Sequence, residues 1–356
     1  IPGWAPGDAD IQYPVMVKAA GGGGGKGMRR VHAASELPEA IGAAQREAAS
    51  SFGDERVYLE KYIRAARHVE FQILGDAQGN VIHLYERECS IQRRHQKIVE
   101  ETPSPYLDAA LRERMAAAAV TAARAVNYIG AGTVEFIVDA ETRDYYFLEM
   151  NTRLQVEHPI TEMTTGIDLV QAQLRIANGE PLWLQQPDVV QRGHALECRL
   201  YAEDPAHDFL PAAGRVLAME MPRGPGVRVD TGIEHGDAVS VHYDPLIAKL
   251  IVHAKDRPAA LRRMAAALRA TAVLGVPTNV AFLQDVVAHP TFVDGAYTTA
   301  FVEEQLPGWL PTPAEISPAF ALVAALAELT RTPARSAHDA GRATPWDRAD
   351  GFRMGV

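Results

Sequence analysis

The run Glu149-Met150-Asn151-Thr152-Arg153-Leu154-Gln155-Val156-Glu157-His158-Pro159 constrains this chain more than any other stretch. Side chains of an extended segment alternate faces, so Glu149, Asn151, Arg153, Gln155 and Glu157 are expected on one side, with Met150, Leu154 and Val156 holding the other against a core. One face then carries two carboxylates, a guanidinium and two amides. That mixture suits a metal-bound phosphate beside a small oxyanion and a base. An ordinary solvent-facing strand presents the same alternation, so the pattern alone leaves both readings open. Just upstream, residues 132–138 and 144–149 read as two strands joined by a polar turn at 140–143, a hairpin that sets Glu135 beside Glu149. Mg²⁺ is commonly held by one or two carboxylates plus substrate phosphates, so a glutamate pair here calls for a phosphate site nearby.

A phosphate site is expected near the start. Residues 13–20 read as a buried strand that delivers Lys18 and runs straight into Gly21-Gly22-Gly23-Gly24-Gly25-Lys26-Gly27. Consecutive glycines put no Cβ between backbone amides and a ligand and permit φ > 0 where a phosphate is wrapped. A lone glycine run would equally make a linker, but Met28-Arg29-Arg30-Val31 resumes a strand at once, which favours a phosphate flap. The loop is not of the GxxxxGK[ST] type, because Met28 follows Gly27. Further on, Glu88-Cys89-Ser90-Ile91-Gln92-Arg93-Arg94-His95-Gln96-Lys97 ends a strand with a dense set of cations and amides. It reads either as a solvated loop or, with the glycine flap and glutamate pair, as a second wall of a polyphosphate cleft.

Composition bounds the rest. The 356 residues, 47% hydrophobic, are enough for two or three domains. A net charge of −10 argues against nucleic acid as a partner, and no apolar run reaches membrane-spanning length. Cys89 and Cys198 are the only cysteines, which excludes a disulfide framework and fits a reducing, cytoplasmic interior. Helices are expected over 35–50, 108–127 with Asp108 as N-cap, 167–177, 257–272, 279–289 and 317–330. Further strands are expected over 57–63, 67–75, 80–90, 194–203, 215–221, 227–233 and 247–253.

The order YPVMVKAAGGGGGKGM, EKYI, RHVEFQ, ERECSIQRRHQKIVEE, GAGTVEF, FLEMNTRLQVEHPITEM and GHALECRLYAEDP resembles the biotin carboxylase family of ATP-grasp enzymes, over roughly residues 13–306. Carbamoyl-phosphate synthetases resemble the first half too, but RRHQK, NTRLQVEHP and the ECR segment point to biotin carboxylase. The resemblance implies an α+β protein: an ATP-grasp fold followed by a biotin carboxylase C-terminal domain, with the family's amino-terminal Rossmann-like domain largely missing. It divides the chain into an ATP-grasp lid at 1–63, an ATP-grasp core at 64–190, a C-terminal domain at 191–306 and a linker at 307–356. The implied activity is ATP-dependent carboxylation of biotin by bicarbonate through carboxyphosphate, the first half-reaction of an acyl-CoA carboxylase. A carbamoyl-phosphate-synthetase-like ligase and a non-catalytic assembly fragment stand as alternatives.

By matching positions, the resemblance assigns Lys18, Gly23, Gly24, Gly25, Lys26 and Gly27 to the ATP phosphates, and Glu60 to Ile63 to the adenine hinge. It gives His68, Gln92 and His95 to the ribose and phosphates, and Glu135, Glu149 and Asn151 to Mg²⁺ or Mn²⁺. Lys97, Arg153 and Gln155, with Val156 beside them, match the bicarbonate pocket. Glu157 matches the general base, and Arg199 the group that stabilises the enolate-like oxygen of biotin. No Met-Lys-Met biotinyl motif occurs, so biotin is expected on a carrier domain, with a carboxyltransferase β subunit as the next partner and an oligomer as the assembly. The chain starts at Ile1, and its segment 344–354 resembles the connection after the carboxylase region in α chains of the methylcrotonoyl-CoA type. It therefore reads as an excerpt of a longer α subunit.

Overall fold

The computed structural model describes residues 2–8, 10–21, 28–312 and 318–330. The glycine loop assigned to phosphate, Gly23 to Gly27 with Lys26, lies outside the described residues, as does the tail from 331. Residues 1–311 and 312–356 form separate compact units. The expected apolar helix of the second unit is present at Pro318–Thr330. No helix among the described residues is long and apolar enough to cross a membrane.

The first unit holds two main sheets. A small one has the order β1 (Gly3–Trp4), β4 (Val57–Lys61), β2 (Val15–Ala19) and β3 (Arg29–Val31), backed by α1 (Leu37–Phe52). Strict alternation in β2 buries Val15, Val17 and Ala19 and leaves Lys18 on the other face. The large sheet has eight antiparallel strands. Starting from the strands Val227–Thr231 and Leu246–Ala254, it continues through β10 (His194–Tyr201), β7 (Gln96–Thr102), β6 (Val81–Arg93), β5 (Ala66–Gly75), β8 (Gly130–Asp139) and β9 (Tyr145–Asn151). The pairing of β7 with β10, from Ala195 opposite Thr102 to Cys198 opposite Val99, joins the two halves of the chain into one sheet.

The seven-residue strand β7 was not expected from sequence. Residues 93–97 read as a charged loop, yet the chain turns there in two residues and returns as β7. Arg94 and His95 occupy the turn with φ of 51° and 65°. A tight hairpin needs positive φ at both central positions, which normally appears as Asn-Gly, so nothing in Arg-His announces it. The expected strand 215–221 is instead two short pieces, Gly214–Arg215 and Ala218–Glu220. The expected helix N-cap at Asp108 is present, its carboxylate accepting from the Leu111 amide at 2.8 Å at the start of α2 (Ala109–Ala125).

All of β5 is buried, and its two faces differ. Val69, Phe71 and Ile73 join Val134, Phe136 and Val138 of β8 against Leu111, Met115 and Ala119 of α2. The opposite face carries His68, Glu70 and Gln72, fully or almost fully buried. Register places Arg87 of β6 opposite Glu70, Glu70 opposite Glu135, and Glu135 opposite Glu149 of β9, a single row across four strands. Helix α3 (His158–Thr165) packs over this face against β6, β7, β10 and the Leu246–Ala254 strand.

The other side of β7 carries a structural ion cluster. Glu101 accepts from His194 Nε2 at 2.6 Å, Arg257 at 2.7 and 2.9 Å and the Tyr297 hydroxyl at 2.5 Å. Burial alone would raise its pKa, but the hydrogen bonds from His194 and Arg257 overcome that and hold it at about 2. A carboxyl lowered from 4.5 to about 2 contributes stability that is complete above pH 4.5 and is lost as pH falls towards 2. Replacing Glu101 with Gln is expected to lower unfolding stability at neutral pH by about 3 kcal/mol. In urea titrations across pH, that gap should narrow as the wild type is acidified through this window. A gap that does not depend on pH would contradict the role.

Candidate active site

Lys97 stands two residues past the β6–β7 turn, and its ammonium lies 2.5 Å from Glu70 Oε2, 2.9 Å from Glu135 Oε1 and 2.7 Å from Glu157 Oε1. All three glutamates are buried. Burial acts to lower the lysine's pKa, but Glu70 and Glu157 outweigh it and hold the ammonium charged, well above the usual lysine range. Glutamates facing each other across strands repel, and Lys97 is the cation that joins two of the row to Glu157.

Glu135 is the most heavily engaged carboxylate. Its Oε1 also accepts from Asn151 Nδ2 at 3.0 Å and Gln155 Nε2 at 2.7 Å, while Oε2 lies 2.9 Å from His68 Nε2. Burial raises its pKa, but His68 and Lys97 more than reverse the effect and leave it well below the ordinary carboxylate range. Gln92 fixes the His68 tautomer. Its Nε2 donates to the Cys89 carbonyl at 2.8 Å and contacts His68 Nδ1 at 2.7 Å, so Nδ1 accepts and Nε2–H points at Glu135.

Glu157 immediately precedes α3 but does not cap it with its side chain. Its carboxylate turns inward, where Oε1 accepts from Lys97 and Oε2 from Arg199 Nη2 at 2.9 Å. Burial would raise its pKa, but Lys97, Arg199 and Arg87 prevail, so Glu157 is ionised far into the acid range. Arg199 reaches it from β10 while its Nε donates to Glu100 Oε1 at 2.5 Å.

The extended ribbon expected from 149 to 157 is corrected. The strand ends at Asn151, and residues 152–157 form an irregular turn into α3. Gln155 and Glu157 reach the cluster from that turn, not from a strand face. Arg153 is exposed, 3.4 Å from Asn151 Oδ1, and Glu149 is exposed with Asn151 Nδ2 at 3.4 Å. Of the basic segment, Arg93 chelates Glu203 at 2.8–2.9 Å, Arg94 pairs with Asp208, and His95 is exposed at the turn. Only Lys97 of the four faces the glutamates. Lys18 pairs with Glu60 at 3.0 Å within the small sheet, Ile63 is buried beyond it, and the Val156 carbonyl accepts from Lys249 at 2.9 Å.

Glu135, Glu149 and Asn151 offer hard oxygen donors on adjacent strands, and Glu149 is open to solvent. That set fits a Mg²⁺ or Mn²⁺ ion that keeps waters and takes phosphate oxygens. His68, Glu70 and Glu135 also present one donor atom each within 4.8 Å of one another.

The sequence-based assignment missed Glu70 on Lys97, Glu100 on Arg199, and Arg87, which is completely buried. Its Nε donates to Glu70 at 2.6 Å, Nη1 to Gln72 at 2.7 Å and Thr161 at 3.1 Å, and Nη2 to Thr133 at 3.0 Å and Gln155 at 2.9 Å. All five of its N–H donors are used. The signal was available: polar residues at every second position of RHVEFQ, beside apolar ones, require a buried cation opposite. Arg87→Met should cost about 3–5 kcal/mol in denaturant unfolding, because Glu70 loses a partner inside the protein. Arg87→Lys should recover little of it, since one nitrogen cannot reach five acceptors. A cost near that of a surface substitution would contradict this account.

The match to known proteins covers this cluster. The family model for the carbamoyl-phosphate synthase L chain ATP binding domain matches residues 7–185, and that for the biotin carboxylase C-terminal domain matches residues 197–304. The chain is 55% identical over 295 residues to the biotin carboxylase of Nostoc sp., covering 83% of this chain and 66% of that one. It is 47% identical over 351 residues to the methylcrotonoyl-CoA carboxylase subunit alpha of Rattus norvegicus, 97% of this chain and 49% of that one. The crystal structure of the Hydrogenobacter thermophilus 2-oxoglutarate carboxylase biotin carboxylase domain dimer, with MgADP, ADP and bicarbonate, has 44% identity and a TM-score of 0.84. The match covers 88% of this chain and 71% of that one. The chain thus spans between 40% and 66% of the length of curated relatives such as these.

Proposed function

This chain belongs to the biotin carboxylase family, with an ATP-grasp fold, and on that premise we propose that the protein carboxylates carrier-bound biotin with ATP and bicarbonate. The observation that carries the reading is the buried chain Lys97–Glu157–Arg199, in which an ionised carboxylate stands between two cations beside the Glu135 row.

Bicarbonate is an anion with a planar carboxyl group, and Arg153 at the exposed edge, with Gln155 and Lys97 behind it, forms the entry that would hold it. Glu157 would accept the bicarbonate proton for attack on the γ-phosphate. Its carboxylate is weakly basic while both cations hold it. An incoming anion that shares Lys97 and Arg199 would loosen that hold and raise its basicity when the substrate is present. Arg199 would then face the oxygen of biotin that gains negative charge as its N–H is lost. Glu135, Glu149 and Asn151 would hold the divalent ion, which when bound supplies charge neutralisation between phosphoryl oxygens. His68, Gln92, His95, Lys18 and the Glu60 to Ile63 segment would line the nucleotide.

The rat relative's alignment runs through the tail, which supports an α subunit of the methylcrotonoyl-CoA type that works with a biotin carrier domain and a carboxyltransferase β subunit. Both cysteines are free and buried, in keeping with a reducing compartment. In the full-length protein, ADP release should require bicarbonate and rise with free biotin. Stimulation by ammonia or glutamine instead would favour a carbamoyl-phosphate-synthetase-like ligase. Glu157→Gln should lower biotin-dependent turnover by ~10²–10⁴. Arg199→Ala should lower it by ~10²–10³ with the KM for ATP little changed. A rise in that KM with normal turnover would contradict both roles.

A further inference from the structure

Behind Arg199 lies a second pair of carboxylates that the reaction does not use. Glu197 and Glu100 are direct cross-strand partners of β10 and β7, so their Cβ atoms stand about 5 Å apart on the same face. Both are wholly buried. Among the described residues neither oxygen of Glu197 has a hydrogen-bond partner, and Glu100 Oε2 has none either, while Glu100 Oε1 accepts from Arg199. Three orphan oxygens on two facing acids would be costly if both were ionised. One proton between them partners two of the three oxygens and removes one buried charge, because a carboxylic acid donates through its hydroxyl where a carboxylate only accepts.

We propose that Glu197 is a neutral carboxylic acid that donates its proton to Glu100 Oε2, and that this acid–carboxylate pair is a positioning device for Arg199. It rests on the biotin carboxylase reading, which makes Arg199 the group that meets biotin. Arg199 then has one anionic neighbour behind it instead of two, and keeps its Nη2 directed at Glu157. If Glu197 ionised, the guanidinium would be drawn back towards two carboxylates and away from the substrate.

The charged surroundings agree. Along β10 the pair faces Arg199 and Tyr201. Lys249 approaches from the neighbouring strand but is already shared between the Val156 carbonyl and Asp230. On the helix side stand Glu157, His158 and Glu162, the last paired with Arg228. On the β6 side Lys97 and Arg87 are committed to the other glutamates. Among the described residues no cation is left over for Glu197. Burial, followed by the facing Glu100, pushes the Glu197 pKa well above the carboxylate range. Burial likewise lifts Glu100 to about 7, against the pull of Arg199.

Infrared spectra of the full-length protein near neutral pH, in H₂O and D₂O, test this without turnover. Glu100 and other buried acids add carboxyl intensity of their own, so the deciding signal is the wild-type-minus-Glu197→Gln difference spectrum, which should contain a deuterium-sensitive protonated-carboxyl band. Absence of that difference band overturns the proposal. Activity gives the second arm. Glu197→Ala removes the donor and should lower biotin-dependent turnover about tenfold or more, with the KM for ATP unchanged. Glu197→Gln keeps an N–H for Glu100 and should recover most of that loss, and a Gln variant as impaired as Ala overturns the proposal. If Glu197→Ala fails to fold, the infrared comparison still decides. A wild type indifferent to biotin would sink the enzymatic reading while leaving the infrared result intact.

Discussion

The Lys97 ammonium is held at 2.5–2.9 Å from three buried carboxylates contributed by β5, β8 and the turn before α3, and the surrounding site is arranged about it. Removing three glutamates from water is expensive, and one cation cannot neutralise them. The protein meets this with Arg87 on Glu70, His68 and Gln155 on Glu135, and Arg199 on Glu157. Each carboxylate is left ordered, with its donors committed. The cations Lys97 and Arg199 are thereby held in fixed positions by carboxylates.

The continuity of the large sheet makes this geometry possible. Lys97 and Glu100 share β7, and β7 is bonded to both β6 and β10. Residues from the first half of the chain therefore face Arg199 from the second across a single strand spacing. The Glu101 cluster on the reverse side, with His194, Arg257 and Tyr297, fastens the same strand to the elements behind it. Opposite faces of one seven-residue strand thus serve the site and the architecture.

Much of the element pattern was legible. The alternation of Val15, Val17 and Ala19, the Asp108 cap and the hairpin with Glu135 opposite Glu149 all follow from local rules. The ribbon to Glu157 did not, because alternation over six residues past Asn151 cannot distinguish a strand from an irregular turn whose even members also find contacts. The basic segment was misleading for a related reason. Arg93 and Arg94 find Glu203 and Asp208, more than 100 residues away in sequence, so both are paired within the chain, Arg93 partly buried and Arg94 at the surface.

The amino-acid sequence by itself determined the periodic strands, the caps, the family motifs and the set of ionisable groups available, since these depend on neighbours a few residues apart. The tertiary structure alone decided which charges meet. Arg94 and His95 at positive φ turn the chain back and deliver Lys97 to the glutamates. The β7–β10 register brings Glu100 against Glu197 and Arg199. The physical reason is that the state of a buried charge is set by what surrounds it in three dimensions, and desolvation makes that dependence strong where sequence distance carries no information.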